Sequence, residues 1–555
     1  MVLLFTLTFC ALSTAVLSHP HAHKPHPLVL KIPRTADGAS IPHSPDYSSF
    51  SFEPAFWVEF FGNATRPNQF TFKALSTLHA HGGRPAIRPG GITMDSMIYN
   101  ESAGDPVRTT NENGGVYRTT VGPAYYESWA NFPNGTEFIS TLNFGNNSLD
   151  IARDMALASI TYQPDLIKAF ELGNEPTNYD AERWANSTDE YVAQWKQWTS
   201  AIDQAVNGRA ATAVGSQWGT DRWWASSATT DETPLHVRPA DIIPAGIDSQ
   251  QQVSDYSIHS YAFATCDPER AALATIPNIL NHTHLVEYAD TEILPSAKAA
   301  LDSGRPWIIG EFNSIACSGA PNVSDTFAQA LWEVDTELIY AVRNASACYL
   351  HQGATLVFQS DQQSNTPDED GKPGFSTYSM LYPVETAKRG PQRTLPGFAG
   401  LLFLAEVFAG NATRVRALET PRDLDNEHFS AYAFYDADEL SKLVLINMKP
   451  YYANSTDDYT VEFDIFASQK RFAFRQSNGM RQRKPVYLKR LTAPTVDEKR
   501  TERVTWAGQS FKTASPEGDV HIERVDADGI VKVRGSEAVL VLFDETQVCD
   551  LSRTV

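Results

Sequence analysis

Between about residue 56 and residue 408 the chain alternates apolar runs with amphipathic stretches, and this alternation restricts the fold more than any other feature. Short apolar runs separated by helical patterns are the signature of β/α units built on a parallel sheet. Eight runs are predicted as strands: 56–61, 84–88, 137–144, 167–173, 210–216, 256–261, 307–310 and 354–359. A helical stretch ends near Ala80, a long helix is predicted over 180–205, and a last helix over 397–408 completes the count. Eight parallel strands in this order predict a (β/α)8 TIM barrel, an α/β fold whose active site lies at the C-terminal strand ends.

The pattern changes after Asn411. Short alternating segments at 429–434, 443–447, 459–463 and 538–543 predict antiparallel strands and hence a C-terminal β-sandwich domain. An earlier run, 28–32, is expected to add an edge strand to it. The predicted organisation is a signal peptide over 1–18, an N-terminal linker and strand over 19–50, a catalytic barrel over 51–410 and the sandwich over 411–555. There is no internal repeat and no low-complexity tract.

Residues 1–18 are apolar and uncharged and end in Ala15-Val16-Leu17-Ser18, as a secretory signal does, although the usual basic residue is missing. A His/Pro-rich stretch follows at once, which makes the run short for a membrane anchor, and no other segment is apolar enough to span a bilayer. Ten Asn-x-Ser/Thr sequons, at Asn63, Asn100, Asn134, Asn146, Asn186, Asn281, Asn322, Asn344, Asn411 and Asn454, predict an N-glycosylated extracellular or vacuolar protein, of which secretion to the outside is the expectation taken. Once Cys10 leaves with the signal, Cys266, Cys317, Cys348 and Cys549 remain, and two disulfides in any of three connectivities are open to them. No spacing suggests zinc, the histidines at 19, 21, 23 and 26 are read as linker, and neither a metal nor a cofactor is expected. A net charge of −21 argues against nucleic acid and anionic membranes as partners. An anionic substrate would need donors placed locally rather than a basic field.

Two strands end in glutamate. The fourth runs into Gly173-Asn174-Glu175-Pro176, and the seventh continues as Gly310-Glu311-Phe312-Asn313. A single strand-end Glu is more often a cap or an ion-pair partner. Two of them, on strands that face each other across a barrel mouth, suit glycosidic bond cleavage, in which one carboxyl protonates the leaving oxygen while the other attacks. Glu175 is assigned as acid/base and Glu311 as nucleophile. Asn174 is expected to donate to the sugar 2-OH, and Tyr261, at the end of strand six, to hold Glu311. Gly90-Gly91 marks a place where backbone approaches something closely. Asp95 is a candidate partner for sugar hydroxyls, with a loop cap as the plainer alternative.

The segments Glu171-Leu172-Gly173-Asn174-Glu175-Pro176, Ile309-Gly310-Glu311-Phe312-Asn313-Ser314, Ala86-Ile87-Arg88-Pro89-Gly90-Gly91 and Val121-Gly122-Pro123-Ala124-Tyr125-Tyr126-Glu127-Ser128-Trp129 resemble clan A glycoside hydrolases. They are similar to family 79 in particular, the β-glucuronidase and heparanase family, and within it to the secreted fungal β-glucuronidase-like members. The resemblance covers essentially the whole mature chain. It implies that the loop after the nucleophile offers backbone N–H groups at Ser318 and Gly319 to the sugar's 5-carboxylate, and that Tyr378 adds a hydroxyl. The chain departs from the family in reading Arg-Pro-Gly-Gly where Arg-Ile-Gly-Gly is common. It also has no long excised linker of the heparanase kind, which favours exo over endo action. Cys266 follows strand six and Cys317 strand seven, so a Cys266–Cys317 bridge is expected at the barrel mouth, leaving Cys348 to pair with Cys549.

The implied function is a retaining, exo-acting β-glucuronidase that takes a terminal β-D-glucuronic acid, 4-O-methylated or not, from a glycan or glycoside. The competing readings are a neutral-sugar β-glycosidase of the same clan, an endo-β-glucuronidase, and a catalytically silent glycan-binding barrel.

Overall fold

The computed structural model describes residues 27–110, 118–180, 182–213, 219, 221–353, 374–387, 389–410, 412–422, 424–467, 473–475, 481–483, 485–525 and 529–544. Eight parallel strands close into a barrel: β1 (Ser48–Phe52), β2 (Ile87–Pro89), β3 (Phe138–Leu142), β4 (Ile167–Leu172), β5 (Trp223–Ala228), β6 (Val253–Ser260), β7 (Trp307–Phe312) and β8 (Ala345–Gln352). Closure comes from β8 pairing with β1, in a register that sets Cys348 against Ser48 and Gln352 against Phe52.

Three strands lie elsewhere than the apolar runs suggested. The run 56–61 is helical, as a 3-10 turn over Pro54–Phe56 and an α-helix over Trp57–Phe61. Trp57, Phe60 and Phe61 are its buried residues, an i, i+3, i+4 spacing that belongs to a helix, and Pro54 at the first turn starts it. Residues 210–213 end the long helix, which begins at Thr188 rather than near 180 and runs to Ala213, and β5 follows at Trp223–Ala228. The rest of the predicted fifth strand, 214–216, and the whole predicted eighth, 354–359, lie outside the described residues. The eighth barrel strand is Ala345–Gln352 instead; its polar Ser346, His351 and Gln352 broke up the apolar signal.

Inward-facing side chains change character along the barrel axis. At the N-terminal end Ile139, Ala169, Trp224, Ile308, Ala347 and Tyr349 form a small apolar core, with Trp224 and Tyr349 packed edge to face at 5.0 Å. One or two steps further along, the inward positions become Ser51, Arg88, Thr141, Glu171, His259, Glu311 and His351, all buried. The base is therefore packed like a core and the mouth like a site.

After the last barrel helix, Gly397–Val407, the chain builds a seven-stranded antiparallel sheet in the order 414–417, 429–436, 439–447, 537–542, 486–492 and 505–506, with 523–525 pairing beside 486–492. A three-stranded sheet packs on it, and Leu28–Val29 forms its edge through parallel pairing with Phe463 and Asp464. Leu30, Ile32, Phe463, Val531, Leu445 and Val541 fill the space between the two sheets, completing a β-sandwich. The sandwich is joined to the barrel by buried charge: Glu406 accepts from Trp506 Nε1 at 2.9 Å and Lys489 Nζ at 2.7 Å, with His81 Nδ1 at 2.7 Å.

Cys266 and Cys317 form a disulfide, with Cα atoms 5.9 Å apart. The expected Cys348–Cys549 pair involves a residue outside those described. Cys348 is a free buried thiol in β8 that donates to Tyr47 Oη at 3.3 Å, and Cys549 lies outside the described residues. The Cys348 side chain points out of the barrel into the layer beneath the helix Phe327–Ala341, where no other cysteine among the described residues reaches it.

Candidate active site

The strand ends converge on a cavity of about 470 Å³ lined by Glu53, Asn174, Glu175, His259, Tyr261, Glu311, Ser318, His351 and Tyr378, among others. Glu311, the second-last residue of β7, is 6% exposed. Its Oε1 accepts from Tyr261 Oη at 3.0 Å and its Oε2 from Arg88 Nη1 at 2.8 Å, with His351 Nδ1 3.5 Å from Oε2. Burial acts to raise this carboxyl, but His351, His259 and Arg88 together outweigh it and hold Glu311 at about 2. His259 is itself drawn down to about 4 by burial, so above that pH it meets Glu311 as a neutral ring. The lasting positive charge is that of Arg88, helped by His351, which its carboxylate neighbours Glu311 and Glu53 raise against burial.

Glu175 stands three residues past β4 in a left-handed conformation, φ 51° and ψ 60°, with its N–H donating to Ser227 O at 3.0 Å. Oε1 lies 3.0 Å from His259 Nδ1, and Oε2 accepts from Asn178 Nδ2 at 3.0 Å. Burial, then the negative charges of Glu311 and Asp231, raise its carboxyl to about 8. One carboxylate is thus held ionised and the other protonated through the neutral range, the division of labour that acid–nucleophile chemistry needs. An oxygen of each lies within 4.8 Å of the other and of a His259 ring nitrogen. The same three groups are of the types that bind cations. Arg88, already 2.8 Å from Glu311 Oε2, would repel one there.

Arg88 organises the floor of the site. Its wholly buried guanidinium reaches Glu171 Oε2 at 2.6 Å, Ser51 Oγ at 2.9 Å, Glu311 Oε2 and Asn174 Oδ1 at 2.9 Å. Glu171 is further satisfied by Thr141 Oγ1 at 2.8 Å and by Ser227 Oγ. Asn174 lines the cavity with its Oδ1 taken by Arg88, which leaves its amide N–H groups as the donors it can offer a sugar hydroxyl. The Gly90-Gly91 pair does bring backbone close to something. A Cβ at Gly90 would lie 2.5 Å from the Arg88 guanidinium carbon, and one at Gly91, φ 124°, 2.5 Å from the Glu53 carboxyl carbon. Glu53 accepts from Ile92 N at 3.0 Å, Thr93 N at 3.1 Å and Thr93 Oγ1, and lines the cavity.

Two expected contacts are not placed as predicted. Asp95 lies outside the cavity lining. Its carboxylate accepts from the backbone of Phe144, Gly145 and Asn174, so the loop-capping alternative describes it better. Gly319 also stands back from the cavity, and its N–H donates to Ile315 O at 3.0 Å inside its own loop. Ser318 and Tyr378 do line the wall, and Thr377 N and Oγ1 donate to Ser318 O at 2.9 and 3.1 Å. The Cys266–Cys317 bridge sits in the same wall.

Sequence reasoning gave no role to Glu53, Glu171, His259 or His351, and it read Arg88 only as part of a loop motif. Two signals were available: His259 stands two residues before Tyr261, and Arg88 leads directly into the Gly-Gly pair. Among the sequons, Asn146 has a buried Nδ2, Asn281 caps a helix, Asn344 accepts from Ile41 N, and Asn411 lies outside the described residues. No helix among the described residues is long and apolar enough to cross a membrane.

Comparison with known proteins agrees with this geometry. Residues 431–540 match the glycosyl hydrolase family 79 C-terminal beta domain. A β-glucuronidase of Aspergillus niger is 27% identical over 568 residues, covering 95% of this chain and 97% of its own length. One of Neurospora crassa is 26% identical over 516 residues, covering 84% of each. Among solved structures, a 4-O-α-L-rhamnosyl-β-D-glucuronidase from Fusarium oxysporum superposes with a TM-score of 0.72 at 19% identity, over 93% of this chain and 100% of that one. An α-L-arabinofuranosidase from Thermotoga maritima shares the fold more loosely, with a TM-score of 0.55 at 13% identity, over 92% of this chain and 98% of that one.

Proposed function

We propose that this family 79-like glycoside hydrolase is a secreted, N-glycosylated, retaining β-glucuronidase acting on terminal β-D-glucuronic acid in glycans or glycosides. The observation that carries the mechanism is the pairing of Glu175, raised to about 8, with Glu311, held at about 2, with oxygens within 4.8 Å of each other. Retaining enzymes keep their two carboxyl groups about 5–5.5 Å apart, whereas inverting ones leave room for a water between them.

In the first step Glu311 attacks the anomeric carbon as Glu175 protonates the departing glycosidic oxygen. This breaks the C–O bond to the aglycone and forms a glycosyl ester on Glu311. In the second, Glu175, now a carboxylate, takes a proton from water, whose oxygen attacks the anomeric carbon and frees Glu311. Arg88 and Tyr261 keep the nucleophile ionised and aimed, and the Asn174 amide binds the 2-OH. Glu53, with its carboxylate on the cavity wall, accepts from ring hydroxyls. Ser318 and Tyr378 are the neutral donors for the 5-carboxylate, which lets an acidic protein accept an acidic sugar. Sequence relatives called β-glucuronidase, matching nearly end to end, support the choice of sugar. Exo action is supported by the compact cavity and the lack of an excised linker.

The test is hydrolysis of p-nitrophenyl β-D-glucuronide against the β-D-glucoside and β-D-xyloside, with Glu311→Ala as control. The proposal expects glucuronide preference that is lost in the variant. Preference for a neutral sugar would remove the carboxylate role from Ser318 and Tyr378 while leaving the catalytic pair in place.

A further inference from the structure

Glu175 occupies a left-handed backbone region that an L-residue of its kind rarely adopts, so its neighbours must hold it there. The residue before it is gripped from below. Asn174 N–H is shared between Asp95 Oδ2 at 3.1 Å and Tyr179 Oη at 3.2 Å, and the Tyr179 hydroxyl also hydrogen-bonds Asp95. The other oxygen of Asp95 accepts from Phe144 N at 3.3 Å and Gly145 N at 3.0 Å, just past β3. One carboxylate therefore ties together the loops after β2, β3 and β4.

The packing leaves this node little freedom. A Cβ at Gly173, φ 84°, would lie 2.5 Å from Tyr179 Oη, and one at Gly145 would lie 2.5 Å from Asp95 Cβ. The Arg183 guanidinium covers Phe144 at 4.2 Å and Tyr179 at 5.3 Å, and its Nη1 donates to Phe144 O. Neither Asp95 nor Tyr179 lines the cavity, so neither meets the sugar.

We propose that Asp95 and Tyr179 are positioning residues for the acid/base, fixing the Asn174 backbone so that Glu175 stays in its left-handed conformation with its carboxyl over the glycosidic oxygen. The inference rests on the retaining reading of Glu175 and Glu311. It does not depend on which sugar is bound, because the brace acts on the proton donor. Asp95→Asn keeps the size of the side chain but turns one acceptor into a donor facing a backbone N–H. Tyr179→Phe removes the second acceptor and leaves the ring under Arg183.

The test compares kcat/KM on two substrates of one sugar, one with a 2,4-dinitrophenyl leaving group and one with an alkyl leaving group. The first departs without a proton and the second requires one. General acid catalysis is worth about 10²–10⁴-fold. Asp95→Asn should therefore lose about 100-fold on the alkyl glycoside and less than about fivefold on the dinitrophenyl one, with Tyr179→Phe in the same direction. Azide, which needs no general base, should restore turnover of the dinitrophenyl substrate wherever deglycosylation has become slow. Equal losses on both substrates, or no loss on either, would overturn the inference. If wild type prefers a neutral sugar, the glucuronide reading fails and the same comparison is run on that sugar. If wild type turns over neither class, the crystal structure of Asp95→Ala decides. Glu175 leaving the left-handed region supports the brace, and Glu175 remaining there overturns it.

Discussion

Arg88→Gln is the substitution whose consequences the structure fixes most closely. The guanidinium is the one permanent cation between two buried carboxylates, Glu171 at 2.6 Å and Glu311 at 2.8 Å. Breaking a buried ion pair by removing one partner costs roughly 3–5 kcal/mol, because the remaining charge is left uncompensated. The effect on chemistry is separate. Glu311 is held at about 2 against an ordinary 4.5, a gap of about 2.5 pH units or about 3 kcal/mol in favour of the carboxylate. At the low pH where Glu311 titrates, His351, His259 and Arg88 share that preference, and losing Arg88 removes the part that comes from its charge and its hydrogen bond. The acid limb of kcat/KM would then move up from about 2 to a higher pH. The sign for stability agrees. A depressed carboxyl stabilises the fold above its unfolded value of 4.5, and that contribution disappears as pH falls toward 2; in the variant the loss begins at a higher pH. The assays are the pH dependence of kcat/KM between pH 2 and 7 and a urea midpoint at pH 6. An unchanged acid limb in a variant as stable as wild type would refute the assignment of Arg88 as the group that keeps the nucleophile ionised.

Other perturbations follow from the same geometry. Asp231→Asn removes a negative charge that helps raise Glu175, so the alkaline limb of kcat/KM, near pH 8 in wild type, should move down. Gly91→Ala forces a Cβ against the Glu53 carboxyl from a φ of 124°, and should cost activity at least tenfold with little change in far-UV dichroism. Cys266→Ser should lower stability by about 2–4 kcal/mol, measured by urea titration with and without reductant, and wild type should respond to reductant where the variant does not. Glu406→Leu leaves Lys489 buried without its partner and should destabilise the chain by about 3–5 kcal/mol with kcat unchanged, since the network lies at the barrel–sandwich junction rather than at the cavity.

The meeting of Glu175 and Glu311 at the barrel mouth was legible in the sequence because a strand-end glutamate beside Gly-Asn or Gly-Glu stands out against an apolar run. So were Tyr261, the disulfide between Cys266 and Cys317, and the change to antiparallel strands after Asn411. The first and eighth strands were not, because their inward positions near the mouth, Ser51 and His351, are polar and interrupt the apolar signal. The catalytic floor went unread for the same cause. Glu53 directly follows the first strand and His351 lies in the eighth, and Arg88 makes sense only once Glu171, Glu311 and Asn174 are seen around it. Asp95 was identified as a polar loop residue near the site, but only the structure shows its carboxylate turned toward three backbone N–H groups rather than toward a sugar.

The most direct measurement of the central claim is trapping with 2-deoxy-2-fluoro-β-D-glucuronyl fluoride followed by peptide mass spectrometry. The fluorine slows both steps, and the activated leaving group lets the glycosyl ester accumulate. A single adduct on the peptide carrying Glu311, absent from Glu311→Ala, is the predicted result. An adduct on another residue, or turnover of the reagent with no adduct at any time, would contradict it.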